Sequence, residues 1–138
     1  MPVESIKNRK LFLAEGNSSL HAAIKYFIEK ELQCNVAGTA QTFEQLINHK
    51  QLFCADILLI DINLPGQTSY EAAKYILELN HRANLIALTM SNENIELLDI
   101  ILAGFKGIVL KDKIGEELEK AMLALINNGS YYPANVFM

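Results

Sequence analysis

Four side chains of complementary chemistry stand just past the ends of short apolar runs: Glu15 in Glu15-Gly16-Asn17, Asp61, Thr89 in Thr89-Met90-Ser91, and Lys111 in Lys111-Asp112. If the fold gathers those ends, two acids, a hydroxyl and an amine converge. The set holds no serine or cysteine nucleophile beside a histidine base, which argues against acyl transfer. A small flavodoxin-like enzyme or flavin carrier would need a phosphate cradle rich in Ser, Thr and Gly after the first run, and EGNSSL supplies only part of one. The lack of a glycine-rich loop there also leaves dinucleotide and P-loop sites unsupported. Cys34 and Cys54 form no CxxC and have no histidine pair nearby, so free, partly buried thiols are expected rather than a metal or redox motif. His21, His49 and His81 are scattered among polar neighbours and read as surface residues.

The elements that must position the four residues follow from periodicity. Apolar runs occupy 10–14, 35–39, 56–60, 84–88 and 107–110, and stretches of helical period alternate with them. That alternation is the signature of βαβ units around a parallel sheet. After the first run, Leu20, Ala23, Ile24, Phe27, Ile28 and Leu32 recur at three- and four-residue steps, marking one buried helix face that Ser18 or Ser19 could cap. Further helices are expected at about 42–49, 69–80, 92–103 and 114–127, with Gly104 at a C′ position and Asn128-Gly129 closing the last. The continuous third run, DILLI, suits a strand covered on both faces. The expected fold class is α/β: a flavodoxin-like, doubly wound (βα)5 parallel sheet of strand order 2-1-3-4-5, since right-handed crossovers leave few other solutions. Ligands of such sheets bind beyond the carboxyl ends of the strands, which is where the four residues stand.

A chain of 138 residues is one ordinary domain, expected to span 8–128, with 129–138 as a tail or the start of a linker to an absent output domain. The formal net charge of −4 provides no basic field for a phosphate backbone, so no direct nucleic-acid binding is expected. Every apolar run falls far short of the ~20 residues that cross a bilayer. The polar N-terminus MPVESIKNRK lacks a signal-peptide core, and a cytoplasmic location away from membranes is expected.

The strand-end blocks resemble the receiver domains of two-component response regulators, over nearly the whole chain from about residue 10 to 133. DILLIDINLPG resembles the family's phosphorylation motif, ALTM its fourth-strand end, and AGFKGIVLKD its fifth-strand lead-in. The wording of these blocks, with NNGSYYP after the last helix, is most similar to the NarL/LuxR-type subfamily. The resemblance implies a phosphorylation-dependent signalling domain, not an enzyme, whose Asp61 accepts a phosphoryl group from a histidine kinase. It implies that Thr89 moves to hydrogen-bond that group, that Lys111 pairs with its oxygens, and that Mg²⁺ is held by Asp61, the backbone carbonyl of Asn63 and, indirectly, Glu15. The output would be transcription through a helix-turn-helix domain outside this chain.

Three positions depart from the family pattern. Receivers place two acids after the first strand, the second binding Mg²⁺ directly; here the pair reads Glu15-Gly16, so a weakened metal site is expected, and Gly16→Asp should restore it. The switch aromatic of the fifth strand is Ile108, stiff at χ1 and without a polar tip, so its coupling is expected to be weak or rebuilt. Gln67-Thr68-Ser69 replaces a loop that commonly holds an acid and a glycine, a change the loop is expected to tolerate. Gly16 and Ile108 together keep open a second reading, a pseudo-receiver acting as a phosphorylation-independent interaction module. Ile95, Leu98, Ile101 and Leu102 give the fourth helix more apolar area than one buried stripe requires, and a homodimer through the helix 4, strand 5 and helix 5 face is expected.

Overall fold

Strands and helices alternate along the chain in a computed structural model that describes residues 5–66, 68–90 and 97–132. The order is β1 (Lys10–Ala14), α1 (Ser18–Tyr26), β2 (Asn35–Ala40), α2 (Phe43–Ile47), β3 (Ile57–Asp61), α3 (Ser69–Leu79), β4 (Leu85–Thr89), α4 (Leu97–Ala103), β5 (Gly107–Leu110) and α5 (Ile114–Ile126). The strands form one sheet in the order β2-β1-β3-β4-β5, parallel throughout, as the alternation of runs predicts. Strand order reverses between β1 and β3, which places the crevice beyond their carboxyl ends. The expected start of α4 at 92, and Ile95 with it, lie outside the described residues.

The twofold period of the strands distributes the core onto two faces. Phe12, Ala14, Leu58, Ile60, Leu85, Ala87 and Ile108 pack on one side with Leu46 of α2, Ile76 of α3 and Ile100 of α4. Leu11, Leu13, Ile57, Leu59, Ile86, Leu88 and Val109 pack on the other with Ile24 of α1 and Leu118, Met122 and Leu125 of α5. Both faces being covered, β3 and β4 are buried at every residue, which is why they read as continuous apolar runs.

Several details differ from the sequence expectation. Asn17, not Ser18 or Ser19, caps α1: its backbone is extended and its Oδ1 accepts the Leu20 N–H at 2.9 Å. The buried stripe of α1 runs through His21 and Ile24, continuing to Ile28 in the π-helical turn Phe27–Glu31, while Ala23 faces outward. His21 is therefore a core residue, only 8% exposed, rather than a surface one. His49 is half-buried, its ring edge-on to Phe12 with centroids 4.9 Å apart; only His81 is exposed. Cys34 is buried against the Ile6 carbonyl at 3.1 Å, whereas Cys54 is exposed; both are free thiols. The chain beyond α5 stays attached to the sheet: the Tyr131 N–H donates to the Lys106 carbonyl and the Ile108 N–H to the Tyr131 carbonyl, each at 2.9 Å. Tyr132 follows, its hydroxyl 2.9 Å from the Phe105 carbonyl.

Gly104 ends α4 at φ +105, and a Cβ there would lie 2.2 Å from Leu77 Cδ1 of α3. Left-handed strain and that collision act together, so Gly104→Ala should lower stability by about 1–3 kcal/mol, measured by chemical denaturation. An unchanged midpoint would show that α3 and α4 separate freely.

Candidate functional site

Strand register carries the acids to one edge. β1 and β3 run in step, Leu11 opposite Ile57 through Ala14 opposite Ile60, so Glu15 and Asp61 follow as neighbours at their carboxyl ends. β4 and β5 pair from Ile86 opposite Gly107 to Thr89 opposite Leu110, which puts Lys111 just beyond Thr89. Asp61 and Thr89 are each the last residue of their strand, one place further inside than the runs alone suggest.

The arrangement brings three of the four side chains into contact. Lys111 Nζ lies 2.9 Å from Glu15 Oε1 and 3.1 Å from Asp61 Oδ1, with all three groups largely withdrawn from solvent. The remaining acceptor capacity goes to turn backbone: Glu15 Oε2 accepts the Asn17 N–H at 3.0 Å, and Asp61 Oδ1 accepts the Asn63 N–H at 2.9 Å. Thr89 is fully buried at the end of β4, between the strands that carry Asp61 and Lys111.

Burial pushes the Glu15 carboxyl above its usual range, against the Asn17 N–H and Lys111, and the charge of Asp61 adds to the rise. Burial pulls the other way on Lys111, but its hydrogen bond to Glu15 and the charges of Asp61 and Glu15 outweigh it, holding the ammonium above its ordinary value. Lys111 is therefore a fixed cation at neutral pH. Glu15 is the carboxylate with the strained charge.

Ser69 is the residue that sequence reasoning missed. It is fully buried, and its hydroxyl donates a short hydrogen bond to the Asp61 carbonyl. The replaced loop thus ties α3 back to the end of β3, with Thr68 Oγ1 accepting the Glu71 N–H at 3.3 Å as the helix cap. A polar residue directly after a capping threonine was the available signal. Gln67 lies outside the described residues.

The oxygen donors expected for a divalent cation, Asp61, the Asn63 carbonyl and Glu15, belong to residues at this edge. Among the described residues no group of three or more His, Cys, Asp or Glu side chains gathers as a metal cage. Hard oxygens with two carboxylates still suit Mg²⁺, which keeps several waters and leans on one or two carboxylates plus phosphate oxygens. Position 16 contributes no carboxylate, and its surroundings explain more than the missing charge. A Cβ built on Gly16 would lie 2.7 Å from Pro65 Cδ and 3.2 Å from its Cγ, so simple restoration by Gly16→Asp does not follow from this geometry.

Residues 11–123 match the response regulator receiver domain family. This chain belongs to that family. Its curated relatives include the transcriptional regulatory protein DesR of Bacillus subtilis, 29% identical over 88% of this chain and 60% of DesR. The nitrate/nitrite response regulator NarL of Escherichia coli is 26% identical over 81% of this chain and 52% of NarL. The receiver domain thus spans between about half and three fifths of the length of these relatives. Among solved structures, the isolated receiver domain of RcsB from Salmonella enterica serovar Typhimurium with the phosphomimetic BeF3⁻ has a TM-score of 0.81 at 27% identity, over 95% of this chain and 97% of that one. A LuxR-family response regulator from an Aurantimonas species shares the fold at TM-score 0.84 and 21% identity, over 95% of this chain and 94% of that one. The NarL/LuxR resemblance and the flavodoxin-like fold therefore stand, and no helix of the described residues is long and apolar enough to cross a membrane.

The ion pairs of this receiver domain give stability a pH signature. The folded pKa of Lys111 lies above its unfolded value near 10.5, so its contribution is complete below that value and is lost as pH rises through the folded one. Lys111→Met should cost on the order of 3 kcal/mol at neutral pH, by leaving two buried carboxylates uncompensated, and should flatten the alkaline limb of a Tm-against-pH curve. A parallel limb in both proteins would show that Lys111 is solvated.

Proposed function

We propose that this chain is the phosphorylation-dependent receiver of a two-component response regulator, taking a phosphoryl group on Asp61 from a histidine kinase. The observation that carries the reading is Lys111 Nζ at 3.1 Å from Asp61 Oδ1, an ammonium held against a strand-end carboxylate whose own backbone is pinned by Ser69. An Asp61 oxygen attacks phosphorus, the P–N bond of the phosphohistidine breaks, and the electron pair returns to the imidazole nitrogen. There is little covalent chemistry for the protein to do; it must position the carboxylate and neutralise phosphoryl oxygens. Lys111 would supply one positive charge, and Thr89, buried at the end of β4, would offer its hydroxyl to the new acyl phosphate. Receiver domains generally bind Mg²⁺; here Asp61, the Asn63 carbonyl and Glu15 would hold it, in a site weakened by Gly16, and it would supply further charge neutralisation.

The domain acts as a signal acceptor rather than an enzyme, in the cytoplasm. Its output would be transcription, as the name of the transcriptional regulatory protein DesR suggests, and would pass through a helix-turn-helix domain outside this chain. Acetyl phosphate with Mg²⁺ should add one phosphoryl mass, and Asp61→Asn should abolish it. An equal adduct in that variant would remove Asp61 from its role; no adduct from any donor, the kinase included, would favour the pseudo-receiver reading.

The apolar surplus of α4 is exposed: Leu98 at 65% and Leu102 at 74%, with Ile101 beside them. An identical patch on each copy closes on itself about a twofold axis, so the face of α4, β5 and α5 is assigned to a homodimer. Light scattering should show a dimer that Leu98→Glu weakens at least about tenfold, since charging a buried apolar contact costs more than about 1.4 kcal/mol. A strict monomer at high concentration, with and without beryllofluoride, would overturn the assignment.

A further inference from the structure

Gly16 does more than lack a carboxylate: it makes room. The Pro65 ring sits where a side chain at position 16 would begin, with Cδ at 2.7 Å and Cγ at 3.2 Å from the Cβ position, and the Gln41 carbonyl oxygen closes a third side at 3.5 Å. Gly16 does not have the left-handed φ of Gly66 and Gly104, so backbone conformation does not require glycine there. The close approach does.

Neither wall of this contact is free to retreat. On the Gly16 side, the turn is pinned by Glu15 Oε2 on the Asn17 N–H at 3.0 Å, by the Asn17 carbonyl on the His21 N–H at 2.7 Å, and by His21 Nδ1 at 3.0 Å from the Glu15 carbonyl. Because Glu15 is also paired with Lys111, moving the turn outward would pull a buried ion pair apart. On the Pro65 side, the loop is held by its own carbonyl, which accepts the Phe43 N–H at 2.8 Å. Gly66, at φ +111, lies so near Phe43 that a Cβ there would come within 2.9 Å of the Phe43 Cβ. The pyrrolidine ring itself is rigid, with no flexible end to swing aside.

We propose that Gly16 is the seat of Pro65, and that the loop after Asp61 closes over the volume a second acid would occupy, so the cation site has lost that position to Pro65 rather than being merely short of one ligand. Gly16 and Pro65 are positioning residues: they set where the loop bearing Asn63 rests against Asp61. The inference builds on the reading of this edge as a cation-dependent phosphoacceptor site. Its test measures Mg²⁺ alone, without a phosphodonor, so its outcome does not depend on whether Asp61 becomes phosphorylated.

The test is Mg²⁺ titration, followed by calorimetry or by amide shifts, on the intact chain and on Gly16→Asp, Pro65→Ala and the double variant. Gly16→Asp alone should leave the dissociation constant within about threefold of the starting protein, whereas the double variant should bind at least about tenfold more tightly than Pro65→Ala, a difference of about 1.4 kcal/mol. A gain beyond threefold in Gly16→Asp alone would show that Pro65 is no barrier. No gain of the double variant over Pro65→Ala would show that position 16 does not face the cation. A metal-free control covers the case in which the aspartate variant folds poorly. Gly16→Ala should lower Tm by about 5 °C, and Pro65→Ala should return most of that loss. An alanine variant as stable as the starting protein, or a loss that Pro65→Ala leaves in place, would overturn the seat.

Discussion

One cation shared between two buried carboxylates organises this end of the molecule. Each contact of Lys111, with Glu15 at 2.9 Å and Asp61 at 3.1 Å, is worth on the order of 5 kcal/mol of gross attraction at an effective dielectric near 20. Withdrawing three charges from water costs several kcal/mol for each, so the net gain in stability is small. What the trio secures is position. Glu15 follows β1, Asp61 ends β3 and Lys111 follows β5, so the ammonium must cross the width of β4 to reach Asp61. Two strand spacings are about 10 Å, a gap that a long, flexible lysine stem can close from beyond the strand end.

That reach works only because the strands end in step. Parallel pairing with both faces apolar leaves no slack for a slip: a one-residue shift of β3 would turn Leu58 and Ile60 toward the α1 and α5 side and Leu59 toward the other. The two clusters of core residues therefore fix the register, and the register delivers the charges. Ser69 then fastens the exit of β3, its buried hydroxyl on the Asp61 carbonyl, so that the first turn of α3 is tied to Asp61.

What the sequence made legible follows the same logic. Runs buried on both faces, such as ILLI, announce themselves by composition, and the strand order and the four strand-end residues came with them. The pairing of Lys111 with Asp61 is legible because strand topology brings their strand ends to one edge. Contacts set by local backbone shape were harder to read. Asn17 rather than a serine caps α1 because the turn that carries Glu15 leaves residue 17 extended. His21 falls in the buried stripe because it stands about one turn before Ile24, with its ring Nδ1 3.0 Å from the Glu15 carbonyl. Ser69 looked like a tolerated loop change, since nothing in a one-letter code shows a hydroxyl folding back eight residues to a carbonyl. Gly16 looks in the sequence like nothing more than a lost ligand, because the Pro65 ring beside it is remote in sequence and near only in the fold.

The charge balance of the edge gives the glycine a second consequence. Two carboxylates and one ammonium sum to −1, where an aspartate at position 16 would make the sum −2. A less negative edge attracts a divalent cation less, and it also repels an incoming phosphoryl group less. With the phosphoryl group proposed for Asp61, the acyl phosphate would replace one negative charge by about two, and the edge would carry about −2 with Lys111 counted. On the proposed function the two effects would act on different steps: cation binding would lose a direct ligand, while approach of a phosphodonor would meet one fewer like charge. At an effective dielectric near 20 a unit charge about 4 Å away changes either step by about 4 kcal/mol before hydration and counter-ions reduce it. Lys111 consequently bears a larger share of the neutralisation here than in a site with three acids, and the Glu15 contact that holds it in place becomes correspondingly more important.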